Sequence, residues 1–150
     1  MFFSPVFFYT TIKKTFVTPK VFLAKMMEDH TGTIVNISSA SSLARDYSMT
    51  TYNASKAAIV NMTHAMAMDY GMYGIRVSNV APDSTNTSMF FQKMKEAFSQ
   101  NSPLNRIVEP KEIAKTVYFM STDDSRAITG ETIPVTAGFE LSTGQQNMMI

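Results

Sequence analysis

Between Thr33 and Lys56 the chain reads TIVNISSASSLARDYSMTTYNASK, and this stretch limits what the remainder can be. It opens as a β-branched apolar run of Thr33, Ile34, Val35 and Ile37. Runs of that kind mark a strand buried in a parallel sheet. The run gives way to Ser38, Ser39, Ser41 and Ser42, a composition that ends strands and exposes hydroxyls. Tyr52 and Lys56 follow at the head of an alanine-rich helical pattern, and their spacing of four stacks them on one helix face. A phenol beside an ammonium makes a usable acid or base from a group whose free pKa is about 10.

The flanking sequence continues the alternation of helix and strand. From Ile12 to Asp29 the residues Phe16, Val17, Val21, Phe22, Leu23, Met26 and Met27 recur at helical spacing, with Gly32 as terminator. Pro19 predicts a kink or a late start to that helix. A second helix is expected from Thr51 to Tyr70. Its Ala54, Ala57, Ala58, Ile59, Val60, Met62, Ala65, Met66, Ala67 and Met68 make it apolar nearly all round. Such a helix is buried on two sides, either between the sheet and a partner subunit or at the centre of one core. Gly71 and Gly74 end it, and Ile75–Val80 forms the next strand. Two short strands bracketing a helix predict a right-handed crossover and hence a parallel sheet. Ala81-Pro82-Asp83 closes the strand where α/β sheets place their ligands. A polar loop from Ser84 to Ser88, an amphipathic piece over Met89–Phe98 and a proline-led helix over Pro110–Met120 come next. Ile128–Val135 reads as a turn and a final short strand, and Ser142–Ile150 as a loose tail.

Composition narrows the classes. A chain of 150 residues holds one domain with a real core but not two. A net charge of +1 gives no electrostatic case for nucleic acid or an anionic membrane. The absence of cysteine excludes disulfides, thiolate nucleophiles and thiolate metal sites, and fits a cytoplasmic setting. His30 and His64 stand far apart without companions at metal spacing, so no metal is expected. The aromatic opening MFFSPVFFYT is broken by Ser4 and Pro5, has no basic lead-in and is too short for a membrane span. It reads as neither a signal peptide nor an anchor.

The Thr33–Lys56 stretch resembles the active-site segment of the short-chain dehydrogenase/reductase family. That family's signature is Tyr-x-x-x-Lys with a serine thirteen positions earlier, and Ser39 stands at that offset from Tyr52. Gly74-Ile75-Arg76-Val77, Ala81-Pro82 and Ala127-Ile128-Thr129-Gly130-Glu131 echo further family segments. The likeness covers residues 12–141, the second half of a typical member, leaving residues 1–11 divergent.

The resemblance implies an α/β fold, a Rossmann-like parallel sheet with helices on both faces, truncated to three layers without its N-terminal half. It implies hydride transfer between NAD or NADP and a carbonyl or alcohol. Tyr52 would be the general acid/base, Lys56 would lower its pKa and hold the nicotinamide ribose, and Ser39 would orient the substrate oxygen. Pro82 and Thr87 would contact the nicotinamide. The helices over residues 12–29 and 51–70 resemble those that build the family's subunit interface, which implies a homo-oligomer or pairing with a full-length relative.

The departures are specific. No G-x-G-x-x-G loop occurs, and the chain has only six glycines. Thr11 stands where the family has an asparagine, Ser78 replaces another, and Asp83 replaces a glycine. The tail reads Val135-Thr136-Ala137-Gly138 in place of Val-Asp-Gly-Gly. Without the first half, strand Thr33–Ser38 has one bare edge. The strand-prone segment Phe2–Tyr9 either covers that edge or is unrelated sequence. Three readings therefore stand: an oxidoreductase, a non-catalytic interaction module, and a fragment with no function of its own.

Overall fold

The structure, a computed structural model, describes residues 5–44, 46–88 and 92–141. Helix α1 (Pro5–Asp29) leads into strand β1 (Gly32–Ile37), a short 3-10 turn at Ala40–Ser42 and helix α2 (Thr50–Gly71). Strand β2 (Ile75–Pro82), helices α3 (Gln92–Asn101) and α4 (Pro110–Ser121) and strand β3 (Thr132–Val135) complete the order. The strands form one parallel sheet in the order β1-β2-β3, with Ile34 opposite Val77 and Val80 opposite Ile133.

The two-residue alternation of a strand divides β1 and β2 between two layers. Ile75 and Val77 point to one face, where they form a core with Leu23 of α1 and Met66 and Ala67 of α2. Arg76 points to the other face, where α4 packs. Its guanidinium donates to the carbonyls of Met120, Ser125, Ile128 and Thr122 and to the Thr33 and Ser125 hydroxyls, at 3.1–3.3 Å. One arginine thus ties the end of α4 and the turn after it to two strands.

Gly74 makes the sharp return from α2 to β2. Its φ is +71°, and a Cβ there would stand 2.6 Å from the His30 carbonyl oxygen, so no other residue fits. Pro110 opens α4, and Glu112 accepts from the Glu109 N–H at 2.9 Å, a reciprocal cap for the first turn. The Arg106 guanidinium, bonded to Glu112 at 2.7 Å through both nitrogens, holds that carboxyl down to about 2.

Two expectations need correction. Helix α1 starts at Pro5 rather than near Ile12, so residues 5–9 are helical and are not a strand covering the edge of β1. Residues 1–4 lie outside the described residues. The helix also runs through Pro19, which rules out the late start and leaves the Thr15 carbonyl without its intrahelical donor. Within this chain helix α2 is buried along one stripe, Ser55, Ile59, Thr63, Met66 and Ala67, and its Met68, on another face, is 84% exposed. The amphipathic piece expected over Met89–Phe98 is seen as α3 from Gln92 onward, with 89–91 outside the described residues, as is the tail 142–150.

Among the described residues no helix is long and apolar enough to cross a membrane.

Candidate active site at the carboxyl ends of the strands

Parallel strands deliver their last residues to one edge of the sheet, where α/β proteins bind ligands. The Ser38 N–H donates to the Val80 carbonyl at 2.9 Å, which carries the β1–β2 ladder one residue past β1. The serine cluster begins there. Ser39 is buried and extended (φ −165°, ψ 158°), and its Oγ caps the 3-10 turn by accepting from the Ser41 N–H at 3.3 Å. Its hydroxyl donates to Ser41 Oγ at 3.2 Å, a long bond that a rotating hydroxyl gives up at small cost. The turn packs against α2 and touches β2, so Ser39 is held between the two elements that carry the other candidates.

Tyr52 and Lys56 sit in the first two turns of α2, both half-buried. Lys56 Nζ stands 5.7 Å from the centre of the Tyr52 ring, a cation–π distance. Burial pushes the Lys56 ammonium below the ordinary lysine value. The helical spacing thus places the Lys56 ammonium over the Tyr52 ring. Pro82 ends β2, half-buried. Thr87 lies farther along the following loop, where its N–H donates to the Thr85 carbonyl at 2.8 Å. The structure therefore gathers Ser39, Tyr52, Lys56 and Pro82 on elements in mutual contact, and leaves Thr87 on a loop of its own.

Asp83 follows Pro82 directly. Its Oδ2 is buried without a hydrogen-bond partner. Burial pushes its carboxyl up to about 6; the Ser84 N–H and hydroxyl oppose that shift, while the carboxylates of Asp46 and Glu140 add to it. Asn53 Nδ2 of α2 donates to the Asp46 carbonyl at 3.3 Å.

A buried layer of polar side chains supports the site. Asn79 Nδ2 donates to Ser38 Oγ at 2.7 Å and to Thr132 Oγ1 at 3.2 Å, joining all three strands below the serine cluster. Asn36 Nδ2 donates to Thr63 Oγ1 at 2.9 Å and so ties β1 to α2. Motif spacing does not reveal these residues. The available signal is a polar side chain within an apolar strand, as at Asn36 and Asn79.

The fold and the sequence both have close counterparts. Residues 13–140 match a family model described as enoyl-(acyl carrier protein) reductase. The chain is 38% identical over 121 residues to the meso-2,3-butanediol dehydrogenase of Serratia marcescens, covering 79% of this chain and 48% of that protein. Among solved structures, an oxidoreductase of the short-chain dehydrogenase/reductase family from Burkholderia thailandensis superposes with a TM-score of 0.86 at 25% identity. That match covers 93% of this chain and 58% of the other. The chain belongs to the short-chain dehydrogenase/reductase family. The acetoin dehydrogenase of Enterobacter cloacae is similarly related, with a TM-score of 0.83, 30% identity, and coverage of 93% and 56%. The Rossmann-like architecture expected of the family is therefore the one observed. The chain spans about half the length of the relatives it matches.

Proposed function

We propose that this chain carries the nicotinamide-side, proton-handling part of an NAD- or NADP-dependent oxidoreductase acting on a small carbonyl or alcohol. The observation that carries the reading is the pair formed by Tyr52 and Lys56, with Nζ 5.7 Å from the ring centre, on a helix packed against the turn that Ser39 caps. The donor set suits one end of a nicotinamide nucleotide. Lys56 and Tyr52 would hold the nicotinamide ribose, with Pro82 and Thr87 toward the carboxamide; the sequence offers no glycine-rich loop for the pyrophosphate. When bound, the nicotinamide supplies or accepts the hydride.

The protein's own groups manage the oxygen. As a carbonyl carbon is reduced, its oxygen gains anionic character and must take a proton. The Tyr52 hydroxyl donates that proton, and the Ser39 hydroxyl, turned from Ser41 Oγ, donates a second hydrogen bond to the same oxygen. The Lys56 ammonium stabilises the phenolate that Tyr52 becomes, and in the reverse direction the phenolate takes the proton back.

A thermal melt with and without millimolar NADH or NADPH tests the reading. A ligand that binds only the folded state raises the midpoint, by about 2.7 kcal/mol of stability at a hundredfold excess over Kd. One of the two nucleotides should shift it. Tyr52→Phe should reduce that shift by no more than the loss of one hydrogen bond to the ribose, while reducing turnover by about 10²–10⁴-fold. A cooperative melt that neither nucleotide moves would sink the enzyme reading.

One observation favours the interaction-module alternative: α1 leaves Phe16, Val17, Val21 and Phe22 exposed, and Val21 is 71% exposed. Pairing through α1 and α2, in a cytoplasmic setting, would cover that face.

A further inference from the structure

A carboxylate at the carboxyl end of a central parallel strand is an unusual neighbour for a nucleotide. Asp83 is half-buried, its Oδ2 has no donor, and among the described residues no lysine or arginine forms an ion pair with it. The charged groups that act on it are both anionic: Asp46 from the loop leading to α2, and Glu140 from the turn after β3. A buried charge without a counter-charge is costly, and in this position it is suited to a cation delivered by a ligand. Pro82, Tyr52 and Lys56 define what that ligand is, so the inference rests on the nicotinamide reading above. An oxidised nicotinamide ring is a cationic pyridinium; the reduced ring is a neutral dihydropyridine.

We propose that Asp83 makes this site prefer the oxidised, pyridinium form of a nicotinamide nucleotide over the reduced form. The carboxylate attracts the cationic ring and has no charge to attract in the neutral one. Such a preference loads the site with the oxidised nucleotide; because the ring loses its charge on accepting hydride, the same attraction makes the bound reduced form the stronger hydride donor. The effect should be about tenfold, equivalent to about 1.4 kcal/mol and modest for unit charges a few ångströms apart near a protein surface.

The probes are nicotinamide mononucleotide and its reduced form, since this chain offers residues for the nicotinamide ribose but no pyrophosphate loop. Both carry the same phosphate, which cancels in the ratio of affinities. The full chain, isotopically labelled, is titrated with each at pH 8 and followed by NMR at Ser39, Tyr52 and Lys56. The oxidised form should bind about tenfold more tightly, and Asp83→Asn and Asp83→Ser should each bring the ratio near unity. Asp124→Asn, at an exposed residue of the turn after α4, should leave it unchanged. An unchanged ratio in both Asp83 variants overturns the inference and leaves the nicotinamide site standing. If neither nucleotide perturbs the site, both the inference and the nicotinamide reading are overturned.

Discussion

A half-buried carboxylate with an orphaned oxygen costs the folded chain stability, and Asp83 places that cost within the physiological range. Its folded pKa, raised to about 6, lies above the ordinary value of 3.8, so the unfolded chain ionises first. The favourable contribution of the protonated form is therefore complete below about pH 4 and is lost as the pH rises through 6. The Asp83→Asn variant carries no such charge. It should be more stable than the parent at pH 8 by on the order of 1–2 kcal/mol, a figure reduced for the exposed part of the side chain. At pH 4 the difference should vanish. Urea melts at the two pH values check this, and an advantage independent of pH would show that the carboxylate is not the cause. Asp83 was legible in the sequence as a departure, a carboxylate in place of glycine after Ala-Pro. Its orphaned oxygen and raised pKa were not, because burial, and then the charges of Asp46 and Glu140, are supplied by the fold and not by the neighbouring residues in the sequence.

At the scale of elements, strand and helix positions followed from local pattern wherever the core read it. β1, β2, α2 and α4 lie within a residue or two of their expected bounds. The long α1 did not: Pro5 stands at its first residue, where a missing donor is harmless, and Pro19 lies inside it. Arg76 escaped attention for a related reason. In the sequence it is one residue of an echoing Gly-Ile-Arg-Val; in the structure it donates to carbonyls at the end of α4 and in the turn after it. Removing it takes a donor from the Met120, Thr122, Ser125 and Ile128 carbonyls at once, of which Thr122 and Ser125 keep the N–H donors of Ser125 and Ile128. Arg76→Ala should lower stability by about 2–4 kcal/mol, and Arg76→Lys should recover only part of that, since an ammonium cannot span the fork. A loss below about 1 kcal/mol in urea unfolding would mean that water replaces the guanidinium without penalty.

For the molecule as a whole, the open side of β1 decides how the chain behaves in solution. Ser38 donates to Val80, so alternation along the strand turns the peptide groups of Ile34 and Asn36 toward β2 and those of Thr33, Val35 and Ile37 outward. Among the described residues those outward groups have no ladder partner, because β1 is the end of the sheet. The strand has no proline, no charge and no bulge, which are the usual protections of an edge. Beside it runs a groove of about 440 Å³, lined by Phe22 and Met26 of α1 and by Ile37 of β1. The bare edge expected from the sequence is present, and α1 does not cover it. The purified chain should therefore self-associate as its concentration rises. Ile37, 43% exposed at the end of β1, is the place for a gatekeeping charge. Ile37→Lys should raise the concentration of half-association about tenfold, the effect of roughly 1.4 kcal/mol. Val21→Glu, on the exposed side of α1, should change it little. Light scattering across a dilution series separates the two routes. If Val21→Glu alone keeps the chain monomeric, association runs through the helical face, and the interaction-module reading gains at the expense of the edge.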